Sequence, residues 1–259
     1  MLFRSGRSVR THAIAAAALL IGTWALYALW PARGIDPAQG APQVGVTAAW
    51  AKENLTGLGA AWHKNANVGH AIDLGLLNLL PRREPFTFNA GGYQTINFIP
   101  SLATMLFGLM CGELLRSSRA ARDKLRLLLI AGVAGIGAGL LWQALGCPIV
   151  KRIWTPSWAL WSTGCCCLIL GGLYGLVDVA GRRRWTFPLI VVGMNSIAIY
   201  SMGMLLKPWT ATTLKTHLGA DLFQILGSAN APAVQATLTG LVFWLICLWM
   251  YRRRIFLRI

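Results

Sequence analysis

The chain has 259 residues, of which 56% are hydrophobic and 12% charged, with 12 Trp, a mean hydropathy of +0.55 and a formal net charge of +16. Soluble domains carry roughly 25% charged residues, so half that share over this length excludes an ordinary water-soluble globule and a disordered chain. The basic residues fall in short bursts between long apolar runs, which is how membrane loops look. They do not form the basic stripe that nucleic acid requires, so no nucleic-acid partner is expected.

A bilayer core about 30 Å thick needs roughly 20 apolar residues in helix, and six runs of that kind occur in chain order. The first covers about 13–30, after the basic positions Arg4, Arg7 and Arg10. It is longer than the apolar core of a signal peptide, and Pro31 and Arg33 end it without a small-residue cleavage site, so it reads as a retained helix. The remaining five cover about 95–115, 125–145, 157–177, 187–206 and 234–251. Pro100 in the second frees backbone groups that neighbouring helices must satisfy, which predicts a kinked helix packed inside the bundle. The fold class expected is an all-α polytopic helix bundle, with residues 1–259 as a single transmembrane domain.

Between the first two spans lies a long segment, 31–92, with no uninterrupted span-length apolar run. Arg33, Lys52, Lys64, Arg82 and Arg83 stand against Asp36, Glu53, Asp73 and Glu84, so it is nearly neutral. Trp50, Leu55, Leu58, Trp62, Ile72, Leu76 and Leu79 recur among polar residues, a pattern that predicts one or two amphipathic helices at the outer interface or over a cavity. Orientation follows from charge. With the N-terminus inside, the inner loops hold Arg4, Arg7, Arg10; Arg116, Arg119, Arg122, Lys124, Arg126; Arg182, Arg183, Arg184; and Arg252, Arg253, Arg254, Arg258, which is 15 of the 24 basic residues. The positive-inside rule then places both termini in the cytoplasm.

Of the six cysteines, Cys111, Cys165, Cys166, Cys167 and Cys247 lie within apolar runs, where they read as small apolar residues. No Cys-x-x-Cys pair exists, and no structural metal site is expected. Glu113 beside Arg116, and Asp178 beside Arg182 to Arg184, read as interfacial ion pairs. His12, His63, His70 and His217 form no triad or metal-ligand pattern and read as surface residues.

Polar groups in hydrocarbon usually face the bundle interior or a water-filled cavity. Gln94, Thr95, Asn97 and Thr104 form a polar wall near the outer end of the second span, or else bond a neighbouring helix. Lys151 and Arg152, with Trp154 and Trp158, stand at the mouth of a helix beginning near Pro156. That arrangement suits either an anion cradle at a helix N-terminus or an aromatic belt with two interfacial anchors. Asn195 and Ser196, in the middle of the fifth span, bond a neighbouring helix or contact a polar ligand. Ser157 and Tyr200 complete the candidate lining set Asn97, Lys151, Arg152, Trp154, Ser157, Trp158, Asn195, Ser196 and Tyr200. No catalytic residue follows from the pattern.

Three sets of residues carry a resemblance. His63-Lys-Asn-Ala-Asn67, with Phe88-Asn-Ala-Gly-Gly-Tyr93 and Asn97-Phe-Ile-Pro-Ser101, is the first. Lys151-Arg-Ile-Trp-Thr-Pro-Ser-Trp158 with Val177-Asp-Val-Ala-Gly181 is the second, and Gly193-Met-Asn-Ser-Ile197 with Tyr200 the third. Together they resemble the heparan-alpha-glucosaminide N-acetyltransferase family. The likeness is closest to its bacterial branch, also described as N-acetylglucosamine-related transporters or as a membrane domain of unknown function. It runs from about His63 to Ile259, and Tyr251-Arg-Arg-Arg-Ile-Phe256 resembles the family's cytoplasmic tail.

What the resemblance implies is a membrane acyltransferase in which cytoplasmic acetyl-CoA supplies an acetyl group to an amino sugar or glycan across the membrane. The family's N-terminal half, with its Asp-x-x-Arg-Gly helix and the histidine thought to take part in transfer, is not matched, and no histidine of this chain maps onto that one. The chain is therefore expected to be the C-terminal part of a longer protein, or a half that works with a partner or as a homo-oligomer. Acetyl-CoA is the implied co-substrate, with no metal, and the expected location is a bacterial inner membrane. The alternatives are an inner-membrane transporter of amino sugars, which broken helices and inverted repeats would favour, and a non-catalytic membrane fragment.

Overall fold

A computed structural model describes residues 9–30, 41–42, 45–55, 57, 59–219 and 221–257. Arg4, Arg7, Pro31, Arg33, Asp36, Leu58 and Arg258 lie outside the described residues. The chain forms two compact units, Met1–Val179 and Ala180–Ile259. Among the described residues all regular structure is helical apart from an isolated bridge between Ala41 and Val46.

Unit 1 contains α1 (Val9–Leu29), α2 (Ala48–Asn54), α3 (Val68–Leu77), α4 (Phe98–Arg116), α5 (Ala121–Ala144) and α6 (Pro156–Tyr174). Four stretches here are long and apolar enough to cross a membrane: Val9–Leu29, Thr95–Arg116, Ala121–Ala144 and Pro156–Val179. Their outward faces carry residues such as Met105, Val133 and Leu141, each more than 60% exposed. Apolar surface on that scale is stable against lipid and costly against water. In α1 the buried positions are His12, Ala16, Leu20, Thr23 and Tyr27, a stripe at helical spacing that packs along α4.

The most extensive pairing is α5 with α6, and glycine allows it. A Cβ on Gly164 would stand 2.6 Å from Ile136 N and 2.7 Å from Gly132 O, and one on Gly139 would stand 2.8 Å from Ser157 O. Small residues let backbones approach where no hydrophobic effect drives helices together in lipid. Pro100 is fully buried, as expected of a helix packed inside the bundle, but it sits in the first turn of α4. There its missing N–H breaks no helical bond, which removes the reason for the expected kink.

The 31–92 segment, expected to carry one or two amphipathic helices, contains two short helices among its described residues, α2 and α3. Thr47 caps α2 by accepting from Trp50 N, and Asn67 caps α3 by accepting from His70 N at 3.0 Å. The turn before α3 places Trp62 against Tyr27, ring on ring, with centroids 4.7 Å apart. This segment therefore closes the outer end of unit 1, where "outer" and "inner" follow the loop charges.

Unit 2 contains α7 (Phe187–Gly193), α8 (Ser196–Leu205), α9 (Lys207–Leu218) and α10 (Ala231–Arg252). Ser228–Arg252 is a fifth span-length helix. The expected single helix over 187–206 is instead broken: Arg184–Gly193 and Ser196–Leu205 meet at 65°, and the described residues hold six span-length stretches if this bent pair crosses as one. Asn195 is the cause. It sits at φ −130°, ψ 40° outside both helices, and its buried side-chain oxygen accepts from Leu257 N at 3.2 Å, holding the returning C-terminal strand of chain. Trp244 Nε1 donates to Pro188 O at 3.1 Å and ties α10 to the start of α7.

Candidate functional site

The densest buried polar cluster lies at the outer end of unit 1. Tyr27, Asn65, Asn67, His70, Asp73 and Gln94 are each at most 7% exposed. The Tyr27 hydroxyl donates to Gln94 Oε1, Gln94 Nε2 donates to Asn67 Oδ1, and Asn67 Nδ2 donates to His63 O at 2.8 Å. The Asp73 carboxylate accepts from Thr95 N through both oxygens, at 3.1 and 3.2 Å. Gly69 makes this possible, because a Cβ there would lie 2.6 Å from the Tyr27 hydroxyl and inside the Gln94 amide.

His70 and Asp73 are three residues apart and so share one face of α3. Burial pushes the His70 imidazole below its usual range, the Asp73 carboxylate pulls it back up, and burial wins. His70 Nε2 is buried and has no hydrogen-bond partner among the described residues. A neutral imidazole beside a buried carboxylate with spare lone pairs is equipped to take a proton from, and orient, a protic ligand. This corrects the reading of the histidines as surface residues: His12 and His70 are buried, while His217 is exposed. The available signal was the run Asn67, His70, Asp73, which places its polar groups on one helical face.

Next to the cluster stand six of the candidate lining residues. Asn97 Nδ2 donates to Arg152 O at 2.6 Å, and Arg152 Nη1 donates to Gly91 O at 2.8 Å. Trp154, at φ 48°, donates from Nε1 to Thr104 Oγ1 on α4 at 3.1 Å. Thr155 caps α6 by accepting from Trp158 N, and Pro156 takes the first helical position. Thr155 and Ser157 both donate to Pro148 O at 2.7 Å, and both are fully buried. Much of Trp-Thr-Pro-Ser-Trp158 is thus a capping device that nails the 146–155 loop to α6 and α4. The α6 N-terminus is filled by its own Thr155, Lys151 is exposed, and Arg152 is engaged with a backbone carbonyl. Trp158 Nε1 and Asn97 Oδ1 are buried without a partner among the described residues. The remaining candidates belong to unit 2, where Asn195 is fully buried and Ser196 and Tyr200 are exposed.

The inner end of unit 1 is built differently. His12 Nδ1 lies 3.5 Å from Glu113 Oε1, so the expected pairing of Glu113 with Arg116 gives way to one across α1 and α4. A cavity of about 640 Å³ opens beside it, with Met110, Cys111, Glu113, Arg119, Thr163 and Cys167 on its walls. Cys111 Sγ and Cys167 Sγ are 3.6 Å apart. Among the described residues no group of three or more His, Cys, Asp or Glu side chains is placed to hold a metal.

Fold and site together define a multi-pass, all-α membrane protein with a buried polar cluster at one end of its larger unit. No protein-family model and no curated protein matches the chain.

Proposed function

We propose that the chain is the C-terminal part of a membrane acyltransferase of the bacterial inner membrane, both termini inside, that moves an acetyl group from acetyl-CoA to an amino sugar on the outer side. The resemblance of the Trp-Thr-Pro-Ser-Trp158 and Gly-Met-Asn-Ser elements supplies the reaction. The observation that carries it is the buried Asn67, His70, Asp73, Gln94 and Tyr27 cluster. Ionisable groups at the end of an apolar bundle are costly, and they mark substrate or proton pathways. In this reading Asp73 holds the acceptor's ammonium or hydroxyl groups, and His70 Nε2 accepts the proton that the amine must lose before it attacks a thioester or an acyl donor. Gln94 and Tyr27 fix the geometry around them.

The test is transfer of labelled acetyl from acetyl-CoA outside inverted proteoliposomes to glucosamine inside, using the full protein that carries this chain. Asp73→Asn and His70→Gln are each expected to lower the rate at least about 100-fold. Unaltered transfer in both variants contradicts the assignment.

A second reading, transport of amino sugars, is favoured by the 65° break at Met194 and Asn195, since discontinuous helices line many transport sites. Vesicle uptake of labelled N-acetylglucosamine that does not respond to acetyl-CoA would select it.

A further inference from the structure

We propose that Cys111 and Cys167 form a binding site for a soft monovalent metal ion, Cu(I) by ligand chemistry, with Met110 as a third sulfur on the same cavity wall. The site is separate from the outer cluster and does not rest on the acyl-transfer reading.

The two cysteines come from different helices, α4 and α6, 56 positions apart in sequence, and their sulfurs stand 3.6 Å apart. A metal held by three sulfurs in a trigonal set at about 2.3 Å keeps them about 4.0 Å apart. The spacing therefore needs to open by only a few tenths of an ångström to seat one ion between the two sulfurs, whereas a disulfide at about 2.05 Å would need them far closer. Cys167 is 4% exposed, and Cys111 is half-buried on the wall of the 640 Å³ cavity.

Ligand type selects the ion. Zinc prefers four nitrogen, sulfur or carboxylate ligands, and no third His, Cys, Asp or Glu is grouped with this pair among the described residues. Two thiolates with a thioether suit Cu(I), a softer ion. Thr163, four residues before Cys167 and so on the same face of α6, lines the cavity with a buried hydroxyl that has no partner among the described residues.

Charge and access agree with this assignment. Two thiolates and one Cu(I) sum to one negative charge, and the cavity wall carries one basic and one acidic side chain, Arg119 and Glu113. Glu113 and Arg119 belong to the inner end, where a reducing cytoplasm keeps thiols free and copper monovalent. Binding involves no redox change. The ion enters as Cu(I), two S–H bonds break, two Cu–thiolate bonds and one dative bond from the Met110 thioether form, and two protons pass to solvent, so affinity falls with falling pH.

The experiment is an anaerobic titration of the purified full chain in detergent with Cu(I) buffered by bicinchoninate, set beside Cys111→Ser, Cys167→Ser, Cys166→Ser and Met110→Leu. Cys166, exposed and absent from the cavity wall, is the control. One Cu(I) per chain in wild type and in Cys166→Ser is expected, with affinity lowered more than about 100-fold in Cys111→Ser and Cys167→Ser. X-ray absorption should show sulfur alone around the copper. Met110→Leu preserves the packing and should weaken binding about tenfold, which gives a reading even if a serine variant misfolds. Equal competition for copper by wild type and Met110→Leu together with either cysteine variant overturns the site, as does copper bound through nitrogen or oxygen alone.

Discussion

At the outer end of unit 1, buried polar side chains bond one another in series, from Tyr27 through Gln94 and Asn67 to the first turn of α3. The inner end of the same helices has a His12 to Glu113 contact and an open cavity. Connection length accounts for the difference. The outer connection between α1 and α4 is long enough to fold two helices back over the bundle and return carboxylate, amide and imidazole groups to its interior. The inner turn from Arg116 to Ala121 brings the exposed Arg116 and Arg119 and local caps, such as Ser117 Oγ donating to Leu114 O. One end is thus pre-organised around polar chemistry, while the other stays accessible.

Substitutions can break or sharpen that contrast. The largest effect is expected between the two ends, where α5 and α6 touch: Gly164→Val places side-chain atoms into Ile136 N and Gly132 O. It should cost about 3 kcal/mol or more, read as loss of folded protein in a detergent-unfolding titration. If the helix pair tolerates it, the shared scaffold of the comparison is wrong. Next is Gln94→Leu, which strips the Tyr27 hydroxyl of its acceptor and should cost about 1–3 kcal/mol by the same measurement. Glu113→Gln at the inner end should cost about 1 kcal/mol or less, and equal costs at the two ends would erase the distinction.

Acid sharpens it further. Burial holds the folded His70 pKa below its unfolded value, so the unfolded chain binds the proton more readily. The stability that neutral His70 contributes is complete above about pH 6.5 and is lost as pH falls through the lower folded value. Hydrogen exchange of α3 amides should accelerate over that window, and His70→Gln should flatten the response. The smallest effect is expected in unit 2, where Asn195→Ala frees Leu257 N at a cost of about 1 kcal/mol. Faster tryptic cutting at Arg252, Arg253 and Arg254 would report it.

The helical class and most span positions were legible in the sequence because lipid imposes a length and a composition on each span. α1, α4, α5, α6 and α10 all fall on predicted runs. The fifth run was apolar throughout, so hydropathy could not register the break; only Asn195, a poor helix former carrying a buried duty, marked it. The Trp-Thr-Pro-Ser-Trp158 motif was visible as a pattern, but its residues read as binding groups because the carbonyl they serve, that of Pro148, sits in a loop whose path local sequence does not specify. His70 and Asp73 were hidden for the opposite reason. They lie in a nearly neutral segment read as amphipathic and interfacial, whose histidines therefore read as surface residues until Trp62 and Tyr27 stack at the turn before α3.

The most direct test of the central claim, that the outer cluster is where an amino sugar is held, is the thermal stabilisation of the detergent-purified protein by glucosamine. Wild type should gain stability with rising glucosamine, and Asp73→Asn should show at most a tenth of that response while melting at a similar temperature without the sugar. An identical shift in both proteins, or none in wild type at millimolar glucosamine, would contradict the account.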